Sequence, residues 1–391
     1  MMSIPYGRQH ISDADIQAVA EVLQSDWLTQ GPTLERFEQL VADYCGVRYA
    51  IAVSNATSAL HISCLAAGMG QGDVAWTSPI TFVASANCAL YAGGQVDFVD
   101  IDGQTYNMSI AALKSKLIKA AQAGKLPKVV IPVHLSGQSA EMAAIYELSR
   151  KYGFTVIEDA SHAIGGTYRN DKVGCCKYSD MAVFSFHPVK IVTTGEGGMV
   201  VTNRRDLYEE LLLLRSHGIT RDANLMTEPS HGGWYYQQIS LGFNYRMTDI
   251  QAALGCSQMT KIDEFVRRRR EIAAYYDEKL SDLPLQLPKQ HEDTCSSYHL
   301  YIIRLKLDKI ALSHKEVYDG LRKAGIMVNL HYIPVYSQPY YQKFGYQASD
   351  FPEAEAYYQE AISLPMYYDL STEQQDYVIA TLKNLLLSSC R

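Results

Sequence analysis

Four short clusters of chemistry-bearing residues each follow an apolar run. Asn55, Thr57 and Ser58 follow Tyr49 to Val53, and His134 follows Val129 to Val133. Glu158, Asp159 and His162 follow Thr155 to Ile157, while His187 and Lys190 follow Met181 to Phe186. Small and hydroxylated residues at a helix start offer free N–H groups and hydroxyls, which suit an anion such as phosphate. Asp159 ends an apolar run. Lys190 is a single lysine among Phe184, Ser185, Phe186, Pro188, Val189 and Ile191. A lysine so placed gives up its charge readily, and a neutral amine forms Schiff bases. Each feature alone also has a plainer reading. The first cluster is an N-cap, Asp159 a helix cap or half of a buried ion pair, and Lys190 a surface lysine with a buried stem. His134 and His162 read as hydrogen-bonded core histidines, because no third ligand stands at metal spacing.

Together the pieces make one device. A phosphate nest, an aspartate, a lysine and nearby hydroxyls are what pyridoxal 5'-phosphate needs. The lysine bonds the cofactor, the carboxylate keeps its pyridine nitrogen protonated, and the ring becomes an electron sink. A planar side chain should cover one ring face, and Phe82 in Ser78-Pro-Ile-Thr-Phe82 is the candidate. No metal is expected.

The elements that must position these groups are legible as apolar runs alternating with helical patterns. Tyr49 to Val53, Val96 to Val99, Val129 to His134, Thr155 to Ile157, Met181 to Phe186 and Gly198 to Thr202 read as strands, with a helix near Ala140 to Tyr152. Such alternation predicts an α/β fold with a mostly parallel central sheet covered on both faces, and ligands outside the strand carboxyl ends. Ser12-x-x-Asp15, Thr248-x-x-Gln251, Ser313-x-x-Glu316 and Ser371-x-x-Gln374 are capping boxes. The second of them opens a helical pattern reaching about Leu280, which carries Arg267 to Arg270; a solvated face with ion pairs is expected there. A strand is expected over His299 to Leu305, and a loop over Asn224 to Tyr236. We place the large domain at residues 1–255, with an N-terminal substrate-binding segment, and a smaller α+β domain at residues 256–391.

Composition narrows the partners. The chain has 391 residues, 35 basic and 42 acidic, for a formal charge of −7. Nucleic acid and membrane surfaces want a basic face, so neither is an expected partner. Tyr49 to Gly72 and Val74 to Val96 carry no charge, but Ser54, Asn55, His61, Pro79 and Asn87 argue for a buried α/β core rather than membrane spans. Met1 to His10 has no apolar signal region. The eight cysteines form no C-x-x-C pair, which fits free thiols in a reducing cytoplasm.

The chain resembles the fold-type-I, aspartate-aminotransferase-like enzymes of the nucleotide-sugar aminotransferase family (DegT/DnrJ/EryC/StrS-like). The resemblance runs from Tyr6 to the last helix. It rests on Ile4-Pro-Tyr-Gly-Arg-Gln9, Leu28-Thr-Gln-Gly31, Ser54-Asn-Ala-Thr-Ser-Ala-Leu60 and Ser78-Pro-Ile-Thr-Phe-Val-Ala84. It continues through Glu158-Asp-Ala-Ser-His-Ala163, Phe184-Ser-Phe-His-Pro-Val-Lys190 and Thr194-Gly-Glu-Gly-Gly198. Arg215-Ser-His-Gly218, Leu241-Gly-Phe-Asn-Tyr-Arg246 and His331-Tyr-Ile-Pro334 complete it.

The resemblance implies roles residue by residue. Lys190 holds the cofactor and shuttles the proton, Asp159 pairs with the pyridine nitrogen, Phe82 stacks on the ring, and His162 lies near its phenolic oxygen. Thr57, Ser58 and Ser185, with Ala56 beside them, contact the phosphate, and Asn244 reaches it from the other subunit of a homodimer with shared active sites. Tyr6, Trp27, Leu28, Thr29, His187 and the stretch His331, Tyr332, Ile333 and Pro334 line the nucleotide-sugar site. The implied reaction moves an amino group from L-glutamate to C4 of a UDP-linked 4-keto-6-deoxy sugar, with the cofactor passing through pyridoxamine 5'-phosphate. It implies the branch that serves pseudaminic acid synthesis and flagellin glycosylation. A different nucleotide-linked keto-sugar, D-configured or 3-keto, is the alternative. Related dehydratases carry histidine in place of the lysine, so Lys190 favours transamination. An NAD(P)-dependent oxidoreductase is disfavoured because no G-x-G-x-x-G follows the first strand. A non-catalytic sugar-nucleotide sensor would not need both Lys190 and Asp159.

Overall fold

The computed structural model describes residues 3–387; Met1, Met2 and Cys390 lie outside the described residues. Strand β1 (Ile4–Pro5) is followed by helices α1 (Asp13–Leu23) and α2 (Pro32–Cys45). Then come β2 (Tyr49–Val53), α3 (Ala56–Ala66), β3 (Val74–Thr77), α4 (Ala84–Tyr91) and β4 (Gln95–Phe98). Helix α5 (Ile110–Ala123), β5 (Val129–Ile131), α6 (Met142–Tyr152), β6 (Thr155–Asp159), β7 (Met181–Ser185), β8 (Gly198–Thr202) and α7 (Arg205–Arg215) complete the α/β part. Its seven strands lie in the order β2-β8-β7-β6-β5-β3-β4. All neighbours are parallel except β8, which runs antiparallel to both β2 and β7. Strand β3 opens the second uncharged stretch and is an element the apolar pattern alone did not mark off.

The strands alternate their side chains between two cores, as the pleat requires. Ile51, Val53, Met181, Val183 and Val200 pack on one face. Ala50, Ala52, Ala182, Phe184, Met199 and Val201 pack on the other. Because both faces are covered, the central strands are buried end to end. Among the described residues no helix is long and apolar enough to cross a membrane.

The chain then forms a short antiparallel ribbon, β9 (Ile219–Thr220) with β10 (Gln237–Gln238), and Asn224 to Tyr236 is the irregular loop between them. Helix α8 (Asp249–Met259) follows, then α9 (Ile262–Leu280). These are two helices where the sequence pattern suggested one. The last turn of α8 tightens as the Thr260 hydroxyl donates to the Ser257 carbonyl. Lys261 then turns its amine onto Asp15, 2.7 Å away. Residue 255, the expected boundary, lies within α8, whose first residue is Asp249. That buried carboxylate accepts the N–H groups of Gly31 and Thr33 at the start of α2, at 2.8 and 3.0 Å.

A smaller unit follows. Its antiparallel sheet has the order β11 (Leu285–Gln286), β12 (Tyr301–Leu305) and β14 (Ala361–Leu364), with β13 (Ile326–Met327) outside it. Helices α10 (His314–Lys323), α12 (Pro352–Glu360) and α13 (Thr372–Leu387) belong to it, while α11 (Pro339–Gln342) packs its Tyr341 on Phe98 of the large sheet. The N-terminal strand β1 pairs in parallel with β13, and Ile4 is buried in the core of this unit. Strand β1 therefore packs with the C-terminal part of the chain.

The four arginines of α9 divide. Arg267 pairs with Glu271 at the surface, as a solvated face predicts. Arg269 is 2% exposed and donates to the carbonyls of Tyr298, His299 and Met366 at 3.0–3.2 Å, with no carboxylate partner among the described residues. All three carbonyls meet one guanidinium nitrogen, and a guanidinium is more weakly hydrated than an ammonium and so better suited to burial. Burial lowers its pKa to about 10, so it stays charged.

Asp15 ties the first helix to this frame. It accepts from the Ser12 N–H, the Ser257 hydroxyl, the Gln258 amide and the Lys261 amine at 2.6–2.9 Å. These partners hold its carboxyl down at about 2 against the opposition of burial. A depressed carboxyl stabilises the fold above its unfolded pKa, and that stability is lost as pH falls through the folded value. Asp15→Asn should therefore unfold at lower urea than wild type at pH 7. The gap should hold down to about pH 4 and close between pH 4 and pH 2; a gap constant across that range would contradict this reading.

Candidate active site

A cleft of about 890 Å³ opens at the carboxyl ends of β2, β6 and β7, and the small unit supplies its opposite wall. Lys190, Asp159, His162, Phe82, Ser185 and His187 line it, as do Ala56, Thr57 and Ser58. Tyr6, His331 and Tyr332 line the far wall. Six residues expected in the site lie elsewhere in this chain. Trp27, Leu28 and Thr29 are exposed beside the start of α8, where Leu28 accepts the Asp249 N–H. Ile333 lines a separate shallow depression beside α10, and Pro334 is buried. Asn244 is exposed and does not line the cleft of its own chain.

The anion end is the first turn of α3. The Asn55 side chain accepts the Ser58 N–H at 2.8 Å and the Ser58 hydroxyl at 3.0 Å. The Ala56 and Thr57 N–H groups have no helical acceptors, as at any helix start. They add to the positive end of the helix dipole. The antiparallel strand β8 closes the underside. A Cβ on Gly198 would lie 2.5 Å from the Asn55 carbonyl carbon and 2.6 Å from the Ala56 nitrogen, so only glycine permits this approach. The sequence signal was present in the glycine-rich turn, but its packing role was not readable there.

Asp159 closes β6 and is 5% exposed. Its two oxygens are held separately, one by the Ser161 N–H at 3.1 Å and one by the Ser85 hydroxyl at 2.6 Å. Ser85 is in turn hydrogen-bonded to Thr81 at 2.7 Å. Neither Thr81 nor Ser85 was marked by sequence reasoning. Their spacing of four residues is the only signal, and α4 begins between them. Glu158, next in sequence to Asp159, faces away and binds His134 at 2.6 Å. His134 is thus the hydrogen-bonded core histidine that the sequence suggested.

Lys190 is half-buried, and loss of water lowers its amine to about 8, with Asp159 pulling the other way. The amine makes no hydrogen bond to any described residue, so it is free to react. Beneath it lie three histidines. Burial, with Lys190 and His331 adding positive charge, pushes His162 well below its usual pKa. Burial and Lys190 bring His331 to about 3. His299 is pushed down by burial and by His162, and its ring lies 4.4 Å from that of His162. All three are neutral near pH 7. His299, Glu196 and Tyr245 also line the cleft and were not expected there.

These residues fit pyridoxal phosphate. The helix start and Ser58 suit the phosphate, and an oriented, buried carboxylate suits a protonated ring nitrogen. Phe82 leaves its ring 57% exposed in the cleft, where a planar ring can cover it. An unpaired, partly neutral amine suits imine chemistry. Gly198→Ala should weaken pyridoxal phosphate binding about tenfold or more, because overpacking of this kind costs roughly 1–3 kcal/mol. Fluorescence titration of the variant checks this, with circular dichroism showing a retained fold; unchanged affinity would mean the cup does not need the close approach.

The model of the DegT/DnrJ/EryC1/StrS aminotransferase family matches residues 9–383. The chain is 35% identical over 384 residues to the UDP-4-amino-4,6-dideoxy-N-acetyl-beta-L-altrosamine transaminase of Campylobacter jejuni subsp. jejuni serotype O:2. That match covers 98% of this chain and 97% of the relative. The fold superposes on Helicobacter pylori PseC, an aminotransferase involved in the biosynthesis of pseudoaminic acid, with a TM-score of 0.90 and 32% identity. The superposition covers 99% of this chain and 100% of that one. The pyridoxal-phosphate form of a putative sugar aminotransferase from Streptococcus pneumoniae superposes with a TM-score of 0.87 at 28% identity, over 98% of each chain. With this site and these likenesses over its full length, the chain belongs to the DegT/DnrJ/EryC1/StrS family of pyridoxal-phosphate-dependent sugar aminotransferases.

Proposed function

We propose that this aminotransferase transfers the amino group of L-glutamate to C4 of UDP-2-acetamido-2,6-dideoxy-β-L-arabino-hex-4-ulose. The product would be UDP-4-amino-4,6-dideoxy-N-acetyl-β-L-altrosamine, a precursor of pseudaminic acid for flagellin glycosylation. The reading is supported chiefly by the full-length likeness to the Campylobacter transaminase and to PseC.

The bound cofactor supplies the electron sink that stabilises a carbanion beside the transferred nitrogen. The chain's own residues do the rest. The α3 start and Ser185 hold the phosphate and so fix the register of everything above it. Asp159, locked by Ser85 and Ser161, keeps positive charge on the ring nitrogen. Phe82 covers one ring face. Lys190 would hold the cofactor, and its amine would take a proton from the donor Cα and later deliver one to sugar C4. An amine whose pKa lies near 8 does both jobs near neutrality, because the best general acid–base groups titrate close to the working pH. Delivery from one side of the sugar sets its stereochemistry. Tyr6 and His331, with rings 5.2 Å apart, form the wall against which the sugar rests.

We infer a homodimer with shared sites. Asn244 is exposed and does not line its own cleft, and the loop and segment just before it expose Trp234 and Leu241 at 76% and 79%. A second copy of the chain covering that ribbon would bring Asn244 to the partner's phosphate. We assign the reaction to the cytoplasm, which the seven described free thiols suit.

Borohydride reduction followed by peptide mapping should place the cofactor on Lys190, and Lys190→Ala should lose at least about 10²–10⁴-fold in turnover while still binding the cofactor. Assay of UDP- and dTDP-linked keto-sugars should give the highest kcat/KM for the UDP-linked L-arabino 4-ketose. A preference for a D-configured or 3-keto sugar would reassign the substrate and leave the chemistry intact.

A further inference from the structure

We propose that His61 is a positioning residue for the cofactor phosphate of the partner subunit: it braces the segment that carries Asn244, and so acts across the dimer rather than in its own site. The proposal rests on the reading of a homodimer with shared sites.

His61 lies in the second turn of α3 and is 7% exposed. It does not line the cleft of its own chain. Its Nδ1 is hydrogen-bonded to the Tyr245 hydroxyl at 3.2 Å. Its ring lies 4.8 Å from that of Phe243 and 5.9 Å from that of Tyr245. The Phe243 and Tyr245 rings stack on each other at 4.9 Å, 11° from parallel. These two residues flank Asn244. In an extended segment, residues two apart share a face and the one between them points to the other. Phe243 and Tyr245 turn inward onto His61, and Asn244 is left on the outward face, exposed.

Backbone bonds fix the line of this segment. The Phe243 N–H donates to the Leu214 carbonyl at 2.7 Å and the Tyr245 N–H to the Arg215 carbonyl at 3.0 Å. The Tyr245 carbonyl accepts the Ser54 N–H at 2.7 Å, just before the segment's own phosphate cup at Asn55. That tie is made by backbone, so it survives a change of side chain at position 61. The roll of the segment is another matter. It decides the direction in which Asn244 leaves, and it is set by the two inward rings and by what they rest on. His61 is that support. Burial pushes its pKa below the usual value, so the ring is neutral near pH 7 and packs as an aromatic.

Hybrid dimers, co-expressed with two tags and purified through both, separate action in the partner's site from action in its own. A Lys190→Ala chain leaves one working site, that of the other chain, which borrows Asn244 from the Lys190→Ala chain. Affinity for pyridoxal phosphate is followed by the visible band that only cofactor bonded to Lys190 gives. With His61→Leu placed in the Lys190→Ala chain, the working site should bind about threefold or more weakly than in the hybrid of Lys190→Ala with wild type, the scale set by loss of one aromatic contact. With His61→Leu placed in the other chain, the affinity should change by less than about 1.5-fold. Phe243→Leu in the same two arrangements tests the brace where His61→Leu folds poorly. Asn244→Ala in the Lys190→Ala chain is the control. It should weaken the working site, and no effect there would refute the shared-site reading itself. Where that control holds, a loss from His61→Leu only in the working chain, in both arrangements alike, or in neither overturns the proposal.

Discussion

At its first residue, β8 comes so close to the first turn of α3 that only a hydrogen fits on the Gly198 Cα. The site depends on that approach. Strand β8 is the one antiparallel member of the large sheet, wedged between β2 and β7. It brings two carboxyl ends together from opposite sides: β2 leads into the phosphate cup at Asn55 to Ser58, and β7 leads into Lys190. A side chain at position 198 would push β8 away from α3 and widen the distance between the anion site and the amine. Cofactor chemistry is unforgiving of such a shift, since a displacement near 1 Å can cost about a hundredfold in rate.

Charge in the cleft is arranged with the same economy. One carboxylate, Asp159, faces an amine that burial has already brought down to about 8. Three histidines lie under that amine, and each is held neutral because it is buried and lies near other positive charge. Had any of them stayed charged, Lys190 would face more repulsion and its amine would sit lower still. Neutral imidazoles cost less to bury and can donate and accept at once. That dual capacity lets His162 bond both the Ser136 N–H and the Tyr332 hydroxyl. Polar chains of this kind rigidify a site only when every member is satisfied.

The parts of the site legible in the sequence are those set by local order. A strand followed by small hydroxylated residues, a strand followed by Asp159 and a strand followed by Lys190 each carry their meaning in adjacent residues. The open-sheet rule then places all three at one edge. What the sequence concealed comes from contacts between distant segments. Ser85 reaches Asp159 across 74 positions, and Asp249 caps α2 from 216 positions beyond Thr33. Arg269 looked like one of four solvated arginines because its three carbonyl acceptors lie in loops far along the chain, which the helix pattern does not mention. The break between α8 and α9 was hidden for a related reason, since Thr260 and Lys261 fit a helix well and only the pull of Asp15 on Lys261 turns the chain.

The pairing of β1 with β13 explains how one wall of the cleft comes from both chain ends. Tyr6 follows β1 directly, and its carbonyl accepts the Met366 N–H at 2.9 Å. His331 and Tyr332 lie a few residues past β13, with His331 bonded to Ser363 of β14 at 2.8 Å. The first strand, β13 and β14 therefore carry Tyr6, His331 and Tyr332 on one small, buried frame. Arg269 joins that frame to the segment holding His299, which packs on His162 of the large unit. The two units are thus registered through the floor of the cleft itself. Any rotation of the small unit would move Tyr332 against His162, to which its hydroxyl is hydrogen-bonded at 3.1 Å. In this molecule the substrate wall and the cofactor contacts cannot shift independently.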